Sequence, residues 1–237
     1  MKKSICGLAA LVTGLAVQPA LADEITLSDA DVGSEYTLMY DGFSDGSTID
    51  GLTARIRLTL TGISGNDYMF AYNVSNTTSA PVTGSRISGF AFNTDPTISA
   101  ASSTGAFSYT TLNSTYPNGI GTVDVCFKDA STGSCAGGGG GGIELGGSGD
   151  GTLTLSFASP TDTLSLSDFY VRYQSITGVS GITSASGAGT VSSTSGGSDV
   201  PEPGMLALFG VALIGLAINR RRAVVARGSL RPAYAMA

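Results

Sequence analysis

Leu52-Thr53-Ala54-Arg55-Ile56-Arg57-Leu58-Thr59-Leu60-Thr61 sets five apolar residues, Leu52, Ala54, Ile56, Leu58 and Leu60, against Thr53, Arg55, Arg57, Thr59 and Thr61. That period of two is the pattern of a strand with one dry and one wet face. Leu153, Leu155 and Phe157 alternate with Thr152, Thr154 and Ser156 in the same way, and Val123, Val125 and Phe127 form a shorter run. Tyr68 to Val74 is apolar at both phases, which predicts a central strand covered on both sides. Leu164 and Leu166 share one parity and Phe169, Val171 and Tyr173 the other, which predicts a bulge or break near Ser167-Asp168. Turn clusters separate these runs, among them Asp41-Gly42, Asp45-Gly46, Asp50-Gly51 and Ser64-Gly65-Asn66-Asp67. The stretch holds no amphipathic helix of useful length. The expectation is all-β: a single antiparallel, jelly-roll-like β-sandwich over residues 23–176.

Residues 177–199 turn to Gly, Ser, Ala and Thr, which predicts a flexible linker with an r.m.s. reach of about 27 Å and a full extension of about 80 Å. The two ends have a different character. Met1-Lys2-Lys3, the apolar run Ile5 to Val17 and Ala20-Leu21-Ala22 have the three parts of a secretory signal peptide, residues 1–22, with Asp23 as the mature start. An uncleaved N-terminal anchor is the alternative. Cys6 precedes the apolar run and leaves with the signal. At the other end, residues 200–222 combine Val200-Pro201-Glu202-Pro203, an uncharged run from Gly204 to Ile218, and Arg220-Arg221-Arg222. The prolines keep the first part extended. The apolar run reaches only about 22 Å as a helix, short of the ~30 Å hydrocarbon core, so it spans with bilayer thinning, snorkelling arginines or help from Ala223 to Ala226. The arginines hold the tail, residues 223–237, in the cytoplasm. A permanent C-terminal anchor is the alternative.

The Val200–Pro203 segment, the apolar helix and the Arg220, Arg221, Arg222 cluster closely resemble the PEP-CTERM sorting signal of Gram-negative bacteria. The resemblance implies recognition and cleavage by an exosortase, a transient stay in the inner membrane, and delivery to the cell surface or extracellular matrix. It also implies association with exopolysaccharide, biofilm and floc formation. The tail 223–237 departs from the pattern, because such signals usually end soon after the basic cluster. Val125-Cys126-Phe127, Cys135-Ala136 with the glycines that follow, Ser85 to Phe90 and Asp168 to Ile176 resemble the cistern family within the PEP-CTERM proteins. That resemblance adds no biochemical activity.

Charge bounds the partners. Between Asp23 and Pro203 lie all 18 acidic residues and only five basic ones, Arg55, Arg57, Arg86, Lys128 and Arg172, a formal net charge of −13. Such a surface repels nucleic acid and anionic lipid. It suits a secreted protein, a divalent-cation binder, or a partner of neutral or cationic polymer. The chain has no His and no Trp. It therefore lacks the usual general base, the commonest zinc ligand and the usual sugar-stacking ring, leaving nine tyrosines as rigid contacts.

Cys126 and Cys135 remain after signal removal. An exported chain with an even count favours a disulfide, which would stabilise by about 2.7 kcal/mol in the chain-entropy model. Two free thiols or a metal pair are the alternatives. Gly137 to Gly142 reads as a mobile loop, or else as a flap against a polymer chain; no Lys-Ser/Thr follows to make it a phosphate loop. Asp41, Asp45 and Asp50 are the calcium candidates, although Asp-Gly is also plain turn chemistry. No other metal and no cofactor is expected. The sequons at Asn73, Asn76 and Asn113 read as incidental. Lys128 is the sole lysine after signal removal for a Ser-Lys pair, and no carboxylate pair is marked, so no catalytic residue is assigned.

Three functions follow. The first is a non-enzymatic, structural or adhesive surface or matrix protein. Its partners would be the signal peptidase and secretion machinery, the exosortase, the membrane through the C-terminal helix, and an exopolysaccharide. The second is a lectin-like carbohydrate- or calcium-binding module, and the third a periplasmic hydrolase.

Overall fold

The computed structural model describes residues 23–131, 134–137 and 140–195. The expected signal helix, the sorting segment with its expected transmembrane helix, and the tail lie outside the described residues. Twelve strands follow in order: β1 (Ile25–Leu27), β2 (Glu35–Ser44), β3 (Ser47–Ser64), β4 (Asp67–Asn76), β5 (Gly84–Asp95), β6 (Ile98–Ser103), β7 (Tyr109–Tyr116), β8 (Gly121–Lys128), β9 (Ile143–Glu144), β10 (Ser148–Phe157), β11 (Leu164–Thr177) and β12 (Ser184–Ser195). Two short 3₁₀ turns, Asp29–Asp31 and Gly105–Phe107, are the helical elements among the described residues.

The chain is all-β and antiparallel, but it does not form two stacked sheets. One sheet runs β6-β10-β4-β3-β2-β12-β11-β5-β8-β7, with β1 added to β11 and β9 to β5, and it curls until it is nearly closed into a barrel. The two edges approach at β6 and β7, where Thr110 Oγ1 donates to the Ala101 carbonyl at 3.1 Å. The reason for the departure from a sandwich is β12. Without it the order would fall into two sheets, β6-β10-β4-β3-β2 and β11-β5-β8-β7. β12 pairs with β11 through Ser184–Ala188 and with β2 through Ser186–Ser195, and so joins them. Most of the stretch expected to be a flexible linker is this inner strand.

The inner faces follow the alternation. Leu52, Ala54, Ile56, Leu58 and Leu60 of β3 are buried, while Arg55, Arg57 and Thr61 point to water. Leu153, Leu155 and Phe157 of β10 and Val125 and Phe127 of β8 join the same core. The centre is aromatic: Phe90 stacks on Phe127 at 5.0 Å between centroids and meets Tyr72 and Phe107 edge-on at 5.4 and 5.5 Å. The expected phase change in β11 is a bulge between Ser167 and Tyr170, with Asp168 at φ +53°. Tyr68 to Val74, by contrast, is not covered on both sides. Tyr68, Phe70, Tyr72 and Val74 are buried, and Met69, Ala71 and Asn73 are half-exposed. The strand buried at both phases is β5, from Ser85 to Phe92, because loop segments cover its outer face.

Candidate functional site

That cover begins at the cysteines. Val125 and Phe127 face the main core, so Cys126 between them faces outward. It is disulfide-bonded to Cys135, with the Cα atoms 5.7 Å apart, and both residues are buried with Ala91, Tyr116 and Val123 in a second small core flanked by Ile120 and Tyr170. Two contacts dock the loop: Cys135 N–H donates to Ser114 Oγ at 3.3 Å, and Gln174 Nε2 to the Ala136 carbonyl at 2.8 Å. The ends of the glycine run press on β5 rather than standing clear of it. Gly137 has φ +78°, and a Cβ there would lie 2.5 Å from Ser88 Oγ. Gly142 has φ +97°, and a Cβ there would strike the Ile87 carbonyl. Glycine is needed at both for conformation and for space.

Arg86, Lys128 and Arg172, three of the five basic residues, lie in this region and are buried, which their sequence surroundings do not signal. Gly89 stands between two of them, paired with Lys128 on β8 and with Arg172 on β11. Arg172 Nη1 donates to the Ala185 carbonyl at 3.0 Å, and Arg86 Nη2 to Gln174 Oε1 at 2.7 Å. Burial lowers the Lys128 pKa, with Asp129 opposing it, and lowers that of Arg172, with Tyr116 opposing it. Lys128 itself is 2 % exposed.

Among the described residues Arg55 and Arg57 are therefore the exposed basic side chains. They stand on the outer face of β3. Thr37, Arg57, Asn73 and Asp150 are register neighbours across β2, β3, β4 and β10. Asn73 Nδ2 donates to Asp150 Oδ1 at 2.6 Å, and Arg57 Nη2 approaches Asn73 Oδ1 at 3.4 Å. Thr59, Thr152 and Thr154 continue this hydroxyl-rich surface.

The three calcium candidates follow one hairpin. Asp41 is exposed on β2 opposite Thr53, Asp45 occupies the two-residue turn to β3 with φ +49°, and Asp50 lies on β3. Asp45-Gly46 does turn chemistry, both residues having positive φ. Among the described residues no three His, Cys, Asp or Glu side chains come together to hold a metal ion. Of the sequons, Asn76 is 2 % exposed and its Nδ2 lies within reach of the Ser85 carbonyl, Ser85 Oγ and the Ile143 carbonyl, so in the folded state it is a structural hub and not a glycan acceptor.

The residues expected to carry the sorting signal, Val200, Pro201, Glu202, Pro203, Arg220, Arg221 and Arg222, lie outside the described residues. Their sequence matches a known pattern. Residues 199–222 are a PEP-CTERM protein-sorting motif. A PEP-CTERM motif implies an exported protein that an exosortase sorts and processes, and the exosortase is thereby a partner. The motif stops short of the barrel, and no curated protein and no solved structure matches the chain.

Proposed function

We propose that the barrel is a non-enzymatic, structural or adhesive component of the cell surface or extracellular matrix, set free there by exosortase cleavage and associated with exopolysaccharide in a biofilm. The PEP-CTERM motif carries this reading. Two features of the barrel support it: an interior filled with aromatic and aliphatic side chains, and an acidic, hydroxyl-rich outside suited to hydrated polymer rather than to lipid or nucleic acid. In this reading signal peptidase cuts before Asp23, the apolar run Gly204–Ile218 holds the chain in the inner membrane until processing, and the cistern resemblance describes the subfamily. The test is intact mass of the mature protein from an exosortase-bearing host. The expected product begins at Asp23 and lacks the apolar run. Replacing Pro201, Glu202 and Pro203 by alanine should leave export intact and trap an uncut membrane form, because alanine lets helix grow through the recognition segment. Equal mass and equal release of both proteins would return the C-terminus to a plain anchor.

A lectin-like role is the second reading, and the row Thr37, Arg57, Asn73 and Asp150 favours it, since planar arrays of such groups hydrogen-bond sugar hydroxyls. Calorimetry of the exported domain against the host's own matrix polymer separates the two. Heat that disappears in Arg57→Ala supports a defined site. No heat, or heat unchanged in the variant, leaves the structural reading.

A further inference from the structure

Only Gly196, Gly197 and Ser198 separate the end of β12 from the PEP-CTERM motif. β12 is held by β2 up to its last residue, Ser195, which pairs with Glu35. From Ser195 to Pro201 is six residue steps, so an enzyme that grips the Pro-Glu-Pro segment lies within about 20–22 Å of Ser195 along even a fully extended chain. The linker expected from composition would have allowed about 80 Å. Ser195 ends beside a built corner. Gly33 N–H donates to the Leu60 carbonyl at 2.7 Å, and Leu60 N–H to the Ser34 carbonyl at 3.1 Å, which fixes the start of β2 on β3. Just before it, Asp31 accepts from the Ser28 N–H and Oγ, both at 2.8 Å. Val32 stands out from this corner at 46 % exposure, an apolar side chain with Glu35 close by in the chain.

We propose that this corner, the end of β12 with Val32 and Glu35, is the surface through which the folded domain meets the extracytoplasmic face of the exosortase. The proposal rests on the exosortase reading above and adds where the enzyme touches the domain. A tether of this length does not let a folded membrane enzyme hold the motif while the barrel stands clear. The enzyme is the occupant, not the bilayer, because Asp29, Asp31 and Glu35 would repel anionic headgroups.

The test follows conversion of uncut to cut full-length protein by pulse-chase in an exosortase-bearing host. Val32→Asp combined with Glu35→Lys should slow conversion on the order of tenfold at the native tether length. With about twelve Gly/Ser residues inserted between Gly197 and Ser198, the same pair of substitutions should change conversion by less than about twofold. Thermal unfolding of the exported variant, matching wild type, shows that the barrel itself is intact. Unchanged conversion at native length, or equal slowing with the insert, overturns the proposal. So does sedimentation of the purified domain with anionic vesicles that the two substitutions abolish, since that makes the bilayer the occupant. Cleavage of the wild type in a host without exosortase would refute the underlying reading instead.

Discussion

Gly189→Ala separates a strand from a linker by the sign of its effect. In a linker the substitution restricts the unfolded chain and is neutral or stabilising by about 0.4–1 kcal/mol. In β12 the new Cβ would sit 2.5 Å from Tyr40 Cε1, 2.8 Å from Tyr40 Cζ and 3.0 Å from Phe169 Cβ. Neither neighbour has room to withdraw, because Tyr40 and Phe169 are each 2 % exposed and belong to the main core. Gly189 pairs with Tyr40 in register, so the ring lies over the bare glycine backbone. Overpacking of this kind costs about 1–3 kcal/mol. Taking about 2 kcal/mol, the Tm of a domain this size should fall by about 4–8 °C. The assay is thermal unfolding of residues 23–198 with the disulfide intact, followed by circular dichroism. Thr190→Ala, exposed on the same strand, is the control and should stay within about 0.5 kcal/mol. A Gly189→Ala Tm equal to or above wild type would refute the placement of β12 between β2 and β11.

Three further variants test the packing. Asn76→Ala removes the amide that serves the Ile143 carbonyl and the Thr78 N–H, while the Ser85 carbonyl keeps the Leu145 N–H, and should cost about 3 kcal/mol in urea unfolding; a loss under about 1 kcal/mol would mean the hub is not buried. The Tyr173 hydroxyl is buried with no partner among the described residues, so Tyr173→Phe should stabilise the fold by about 1 kcal/mol. Burial raises the Tyr40, Tyr116 and Tyr173 phenols above their ordinary value of 10.0. The stability they contribute is complete below that pH and is lost as pH climbs through the raised values; Tyr173→Phe should make the alkaline fall in unfolding free energy from urea titrations shallower by up to about 1.4 kcal/mol per pH unit, and an unaltered slope would exclude Tyr173 as a contributor. Replacing Cys126 and Cys135 together by alanine should lower stability by at least about 2.7 kcal/mol, the loop-closure value, since the sulfurs also pack in the second core; no change in urea midpoint would show that the bond does not restrain the chain.

Strand character was legible in several runs that supply their own buried side chains. Leu52 to Leu60 and Leu153 to Phe157 announce their inner faces because large apolar residues alternate with Thr, Ser and Arg. The bulge at Asp168 was legible for the same reason, as a slip in that alternation. The sorting motif at residues 199–222 needed no tertiary structure, since it is recognised as a linear pattern of residues.

Only the tertiary structure decided whether the strands make a sandwich or one nearly closed sheet. The deciding strand, Ser184 to Ser195, places Ala185, Gly187 and Gly189 at its inward parity, and Tyr40, Val171, Phe169 and Tyr173 of the neighbouring strands fill the space. Periodicity registers the volume a residue brings, not the volume its neighbours bring, so a strand of small residues reads like a linker. The same limit hid the burial of Arg86, Lys128 and Arg172. A charged side chain looks exposed in one dimension, and the partners of the two arginines come from other strands: the Gln174 side chain accepts from Arg86 and the Ala185 carbonyl from Arg172.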